Sequence, residues 1–224
     1  MALKLYYHPF SSFCQKALTA LYDRDVAFEP VVVDLGDPAQ KAELEALWPI
    51  GKFPVLRDEE AGLTVSEASL IVEYVDRHAA AAGPRLVPED GGAALAVRQW
   101  DRVFDLYVDV PMQKVVTDNL RPQGTGDPYG VEEAKALLER AYLLADAELA
   151  RTGAAWICGD GFSMADCAAA PALFYANVVA PFGAHAHLSA YFQRLLARPS
   201  FARAVDEARP FRRFFPLPWP DGYA

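Results

Sequence analysis

Cysteine is scarce in this chain: Cys14, Cys158 and Cys167 are the only three among 224 residues. An odd number, with no metal-ligand spacing, argues against a disulfide framework and suits a reducing compartment. Basic residues are outnumbered too, 21 Lys and Arg against 30 Asp and Glu, which leaves a net charge of −9. Such a balance argues against nonspecific binding to nucleic acid or to anionic membrane. Long apolar runs are missing. The most apolar later stretch, residues 165–182, carries Asp166, Pro171, Asn177 and Pro181 and is too short and too interrupted to cross a bilayer. No basic, apolar leader opens the chain and no internal repeat is visible. The expectation is a soluble, cytoplasmic protein. What is present is apolar bulk: 53% of residues are hydrophobic, enough for a sizeable core in one large or two modest domains.

The first two dozen residues read as a strand, a turn at Pro9 and a helix. Cys14, Ala17, Leu18 and Leu21 recur at helical spacing, and Ser11 or Ser12 is a natural N-cap. A strand feeding a helix N-terminus favours an anion there. Residues 26–33 read as a second strand, its run Val31-Val32-Val33 expected to be buried on both faces. Asp37-Pro38-Ala39-Gln40 signals a helix start that ends before Pro49. That order implies a right-handed crossover and parallel pairing. Residues 53–57 and 63–65, joined by an acidic turn, form a hairpin, and Ser66 is expected to cap a third helix. The sum is βαβαββα, a small mixed sheet with helices on both faces.

Residues 79–92 are rich in Ala, Gly and Pro and break the pattern. Domains are accordingly placed at 1–80 and 93–224, with 81–92 as the linker. Beyond it no strand signal occurs. Residues 93–119 read as one long helix bent at Pro111, residues 121–130 as a loop, and residues 131–151 as a helix with Leu137, Leu138, Ala141, Leu144, Ala145 and Leu149 on its apolar side. Further helices start at Ser163, near Leu188 and at Pro199. Phe211, Phe214, Phe215 and Trp219 belong to an aromatic tail packed on the body. Ser163-x-x-Asp166 looks chemical but reads as a capping box, with Phe162 and Cys167 as its hydrophobic staple. The cysteines read as core thiols, and His8 as a turn residue.

Four stretches together resemble the cytosolic glutathione S-transferase family over nearly the whole length. They are Tyr6-Tyr7-His8-Pro9-Phe10-Ser11-Ser12-Phe13-Cys14, Gly51-Lys52-Phe53-Pro54-Val55-Leu56, Ser66-Glu67-Ala68-Ser69-Leu70-Ile71 and Gly159-Asp160-Gly161-Phe162-Ser163-Met164-Ala165-Asp166. The first is similar to serine-type members with a theta- or zeta-like motif. The resemblance implies a thioredoxin-like α/β domain followed by an all-α domain, a homodimer, and glutathione as co-substrate. The reaction it implies is attack of the glutathione thiolate on a small hydrophobic electrophile, a detoxification chemistry. Glutathione-dependent isomerisation or thiolysis, and a non-catalytic binding protein of the same fold, are the alternatives.

The resemblance also assigns residues. Ser11 is the first choice as thiolate donor, Ser12 the second and Tyr7 a third. Phe53, before an expected cis Pro54, offers its backbone to the cysteinyl part of glutathione. Glu67 grips the γ-glutamyl end, and Lys41 and Lys52 are candidates for the glycyl carboxylate. Where the family usually has serine after Glu67, this chain has Ala68, which leaves only a backbone N–H. Phe10, Phe104, Tyr107, Val108 and Met112, with Trp100, are expected to wall the second-substrate pocket. Physically, an ordinary thiol of pKa ~8.5 is about 3% ionised at pH 7. Lowering that pKa by ~2 units multiplies the thiolate roughly 25-fold, but reduced nucleophilicity removes about 6- to 10-fold of the gain. Most acceleration must come from holding the electrophile against the sulfur.

Overall fold

The computed structural model describes residues 3–78 and 84–220. Its first half is built on a four-stranded sheet in the order β2-β1-β3-β4. The strands are β1 (Leu3–Tyr7), β2 (Glu29–Val32), β3 (Val55–Asp58) and β4 (Leu63–Ser66), and the helices are α1 (Ser12–Asp23), α2 (Pro38–Leu47) and α3 (Ala68–His78). β1 runs parallel to β2, with Leu5 opposite Pro30, and antiparallel to β3, with Leu5 opposite Leu56. The period of two along β1 sorts its side chains. Leu3, Leu5 and Tyr7 join the main core with α1 and α3, while Tyr6 joins Val33, Leu44 and Val55 under α2.

Two local expectations need correction. β2 is the outer strand and carries Pro30, which only an edge position tolerates. With nothing beyond it, Val32 stays 48% exposed and only Val33 is sealed. The third helix starts at Ala68, not behind a Ser66 cap, because Ser66 ends β4 and Glu67 turns the chain at φ 68°.

The second half is helical: α4 (Gly91–Phe104), α5 (Val110–Asp118), α6 (Pro128–Thr152), α7 (Met164–Val179), α8 (Ala186–Leu196) and α9 (Pro199–Ala208), then a 3-10 turn over Arg209–Phe214. Residues 79–83, which include the start of the expected linker, lie outside the described residues. α4 and α5 are joined without a loop by a π-helical turn, Asp105–Asp109. Where a bend at Pro111 is expected, the structure has this π turn just upstream of the proline. A proline lacks the N–H that an α-helix would need there, and the wider turn relieves that demand. On α6, Leu138, Ala141, Ala145 and Leu149 are buried as the periodicity predicts, but Leu144 is 53% exposed because Tyr142 takes the inward position beside Ala141.

α1 ties the halves together. Every residue from Cys14 to Leu21 is buried, since the helix packs against α3 on one side and α7 and α9 on the other. α7 is anchored by Asp166, which accepts from the Ser163 N–H at 2.8 Å, the Ser163 hydroxyl at 2.8 Å, the Ile157 N–H at 3.2 Å and the Tyr191 hydroxyl at 2.6 Å. Among the described residues no helix is long and apolar enough to cross a membrane.

Candidate active site

The N-terminus of α1 opens at the seam between the halves. Ser11 has the extended backbone of an N-cap (φ −84°, ψ 127°), and its Oγ accepts the Cys14 N–H at 3.4 Å. Its own N–H donates to the His8 carbonyl at 3.0 Å, which closes the turn around Pro9. Capping uses an oxygen lone pair, so the hydroxyl can still donate its proton outward. Ser12, the first helical residue, is committed inward instead. Its Oγ accepts from Gln113 Nε2 at 3.4 Å and pairs with the Asp109 carboxyl.

Ser11 stands at the wall of a cleft of about 500 Å³. Three distant parts of the chain line it. The turn after β1 gives His8, Phe10, Ser11 and Ser12; α5 and the residues after it give Met112, Gln113, Val116, Thr117 and Leu120; the tail gives Phe214, Phe215 and Pro216. Leu35, Phe53 and Tyr175 complete the lining. Tyr175 is fixed from behind: its hydroxyl donates to the Phe10 carbonyl at 3.0 Å and accepts from Gln15 Nε2 at 3.0 Å, and its ring lies 5.8 Å from that of Phe215.

The expected pocket residues divide. Phe10 and Met112 line the cleft, but Phe104 and Val108 are buried in the core, and Tyr107 is 47% exposed away from it. The series 104, 108, 112 has the correct register, yet its α4 end faces α7, and only Met112 and its continuation at Val116 on α5 and Leu120 just beyond reach the cleft. The π turn carries Tyr107 outward. Tyr7 is also elsewhere. It points to the α1 face of the sheet and borders a separate hollow with Tyr22, Arg203 and Glu207, where burial, with Glu207 adding to it, raises its pKa.

Of the remaining predicted residues, Phe53 alone lines the cleft. The Phe53–Pro54 peptide is cis, with Pro54 buried and Phe53 in the cleft wall. Glu67 is exposed at the mouth of α3, and Ala68 is its buried first residue. Ser69 cannot replace the hydroxyl absent at Ala68. It is held by Lys16 Nζ at 2.8 Å and Asp101 at 2.8 Å, and it also contacts Arg102. Lys41 and Lys52 are exposed, and Lys41 lies 3.7 Å from Glu45.

Behind Ser12 lies a buried polar cluster that the sequence reading missed. Lys16 is 1% exposed and its ammonium meets Asp101 at 2.6 Å and Asp105 at 2.7 Å. Asp101, Asp105 and Asp109 all face inward. Eight residues of plain α-helix would swing Asp109 about 80° away from Asp101; the π turn lags and returns it to that face. Burial, with Asp105 adding to it, raises the Asp109 pKa to about 7 against the opposing pull of Ser12, Gln113 and Lys16. Asp109 Oδ2 accepts from Gln113 Nε2 at 2.8 Å, while Oδ1 is buried with no hydrogen-bond partner among the described residues. The i, i+4, i+8 spacing of the three aspartates was the available signal, although it equally describes a solvated face.

Cys14 and Cys167 are fully buried and Cys158 is partly so. Burial pushes Cys14 and Cys158 up to about 12 and Cys167 well above the ordinary thiol range, so none supplies a thiolate near neutral pH. Among the described residues no group of three or more His, Cys, Asp or Glu could hold a metal ion.

A thioredoxin-like sheet domain with a cis proline, followed by a helical domain whose seam is capped by serine, defines the class. The chain matches the family model for the glutathione S-transferase N-terminal domain over residues 5–84 and that for the C-terminal domain over residues 128–194. It is 32% identical to glutathione S-transferase 3 of Zea mays over 211 residues, covering 91% of this chain and 93% of that one. A glutathione S-transferase from Methylobacillus flagellatus, solved with GSH bound, superposes with a TM-score of 0.81 at 27% identity, covering 91% of this chain and 98% of that one. Another, from Methylobacterium radiotolerans in complex with glutathione sulfonate, gives 0.77 at 26% identity, with 92% and 95% covered. The chain belongs to the glutathione S-transferase family.

Proposed function

We propose that this enzyme, a glutathione S-transferase of the serine type with a theta/zeta-like opening motif, activates the glutathione sulfur at Ser11 for attack on a small hydrophobic electrophile held in the cleft. The observation that carries the reading is the placement of Ser11. Its hydroxyl caps α1 at the wall of an apolar cleft, beside the cis Phe53–Pro54 peptide. A thiolate there meets both a hydroxyl donor and the positive end of a helix. Phe53 offers backbone groups to the cysteinyl unit, and the Ala68 N–H with Glu67 holds the γ-glutamyl end. Lys41 and Lys52 are free enough in solvent to meet the glycyl carboxylate.

Ser12 plays no direct part in this account, because its hydroxyl is spent on Asp109 and Gln113. The enzyme acts in the cytoplasm as a homodimer. What supports the dimer is the exposure of large apolar side chains, Leu70 on α3 and Leu95, Leu106 and Val110 along α4, the π turn and α5.

Calorimetric titration with glutathione, followed by conjugation to a generic aryl halide, tests the reading. Binding is expected at or below millimolar glutathione, and absence of heat there would sink it. Ser11→Ala removes a hydrogen bond to an anion, so kcat/KM should fall about 10- to 100-fold and the acid limb of its pH profile should move upward. Unchanged turnover would return the role to Ser12.

A further inference from the structure

His8 was read from sequence as a turn residue, but it lines the same cleft as Ser11, three residues before it. Its Nδ1 accepts the Phe10 N–H at 3.2 Å. That bond places the proton of the neutral ring on Nε2. Among the described residues no protein group pairs with Nε2. The ring is pinned on both sides, 6.1 Å from the Phe53 ring in stacked orientation and 4.7 Å from the Phe211 ring edge-on. Burial lowers its pKa from the ordinary value, against the opposing charge of Asp34, which favours the neutral ring. The cleft therefore contains an oriented, uncharged N–H donor among apolar and aromatic walls.

Such a donor rewards electrophiles that gather negative charge on an oxygen as the sulfur attacks, and it offers nothing to a halide that simply leaves. We propose that His8 is a specificity-determining residue whose Nε2–H binds the carbonyl oxygen of the second substrate, and that the preferred electrophiles are α,β-unsaturated carbonyl compounds. This rests on the sulfur sitting at Ser11. The thiol proton leaves to solvent. The thiolate forms a C–S bond to the β-carbon, and the C=C electron pair moves through the α-carbon onto oxygen as an enolate hydrogen-bonded to His8. The α-carbon then takes a proton from water, giving the saturated thioether. His8 ends as it began, neutral and protonated on Nε2.

Two conservative substitutions separate the two nitrogens. His8→Asn keeps an acceptor near the Nδ1 position for the Phe10 N–H but loses the reach of Nε2. His8→Gln places an amide N–H near Nε2 and loses the Nδ1 acceptor. The assay is kcat/KM with an enone, 4-phenylbut-3-en-2-one, divided by kcat/KM with benzyl bromide, which has no acceptor oxygen. Glutathione binding is measured on each protein by calorimetry. The ratio should fall about 10- to 100-fold in H8N and stay within about 3-fold of the parent in H8Q. A ratio unmoved in H8N, or one that falls as far in H8Q, overturns the assignment; H8F gives the same donor removal should H8N fail to fold. Glutathione binding with an unmoved ratio overturns this inference alone, whereas a parent protein that does not bind glutathione overturns the Ser11 reading with it.

Discussion

Replacing Asp109 by Asn should make the protein gain stability, relative to the parent, as pH rises. Asp109 is buried beside Asp105, which raises its pKa from 3.8 to about 7. A carboxyl raised on folding contributes stability that is fully present below its unfolded value near 4 and is lost as pH climbs toward 7. At 1.36 kcal/mol per unit, ionising Asp109 costs the folded state about 4 kcal/mol in all, of which about 2.5 kcal/mol falls between pH 5 and pH 8. The amide cannot ionise, so that loss disappears in the variant. A constant penalty remains, because an Asn N–H2 placed where Oδ1 has no partner is left unsatisfied, at about 1–3 kcal/mol. The slope is therefore the test, not the absolute value. Urea unfolding of both proteins at pH 5, 6, 7 and 8 gives the difference directly, and the Tm gap should shift by about 5–10 °C across that range in favour of Asp109→Asn. Parallel curves, or a gap moving the other way, would show that Asp109 is already ionised at little cost and would refute the reasoning.

Other outcomes follow from the same geometry. Lys16→Met leaves Asp101 and Asp105 only the half-exposed Arg102 as counter-charge and should destabilise the fold by about 3 kcal/mol at pH 7 and by less at pH 5, because burial raises the Asp105 pKa and so eases uptake of a proton. Equal losses at both pH values in urea melts would contradict this. Asp166→Ala removes the acceptor of four hydrogen bonds and should lower Tm by about 10 °C or more while glutathione affinity, read by calorimetry, is unchanged. Phe215→Ala enlarges the apolar cleft and should raise KM for the electrophile several-fold with KM for glutathione unmoved; a parallel rise in both would mean that the tail supports the whole seam. In the folded protein Cys14 and Cys167 should resist a thiol reagent at pH 8 and react after denaturation.

Much of the fold was legible because local periodicity and local turn chemistry decide it. The parallel crossover, the hairpin, the Asp37 cap with Pro38 behind it, and the Ser163–Asp166 box are all set by residues within a few positions of one another. The geometry of the candidate site was legible where a motif is contiguous, as in the Ser11 cap and the cis Phe53–Pro54 peptide. It was not legible where distant contacts assign the role. His8 looks like a turn residue until the Phe10 N–H fixes its tautomer and the tail brings Phe211 against it. Asp101, Asp105 and Asp109 look like a solvated stripe until α1 lays Lys16 across them. Phe104 and Val108 looked like pocket wall because their register is right, but the π turn decides which end of the rod faces solvent, and no pattern of residue types announces that turn.

The cleft has a consequence for how such an enzyme changes its diet. Ser11, Phe53, Glu67 and Ala68, the groups proposed to hold the thiol and its peptide, all come from one end of the chain, whereas Phe214, Phe215 and Pro216 come from the other. Trp219 clamps that wall from outside, its ring 4.8 Å from Phe215 and its indole N–H 3.3 Å from the Arg212 carbonyl. The tail's share of the wall is thus separate in the chain from Ser11, while His8 and Phe10 give the wall an N-terminal share as well. Grafting residues 209–220 from a relative could retune which electrophiles are accepted without disturbing thiol activation. Selection acting on a dozen positions distant in sequence from Ser11 would then help to move the enzyme from one electrophile to another.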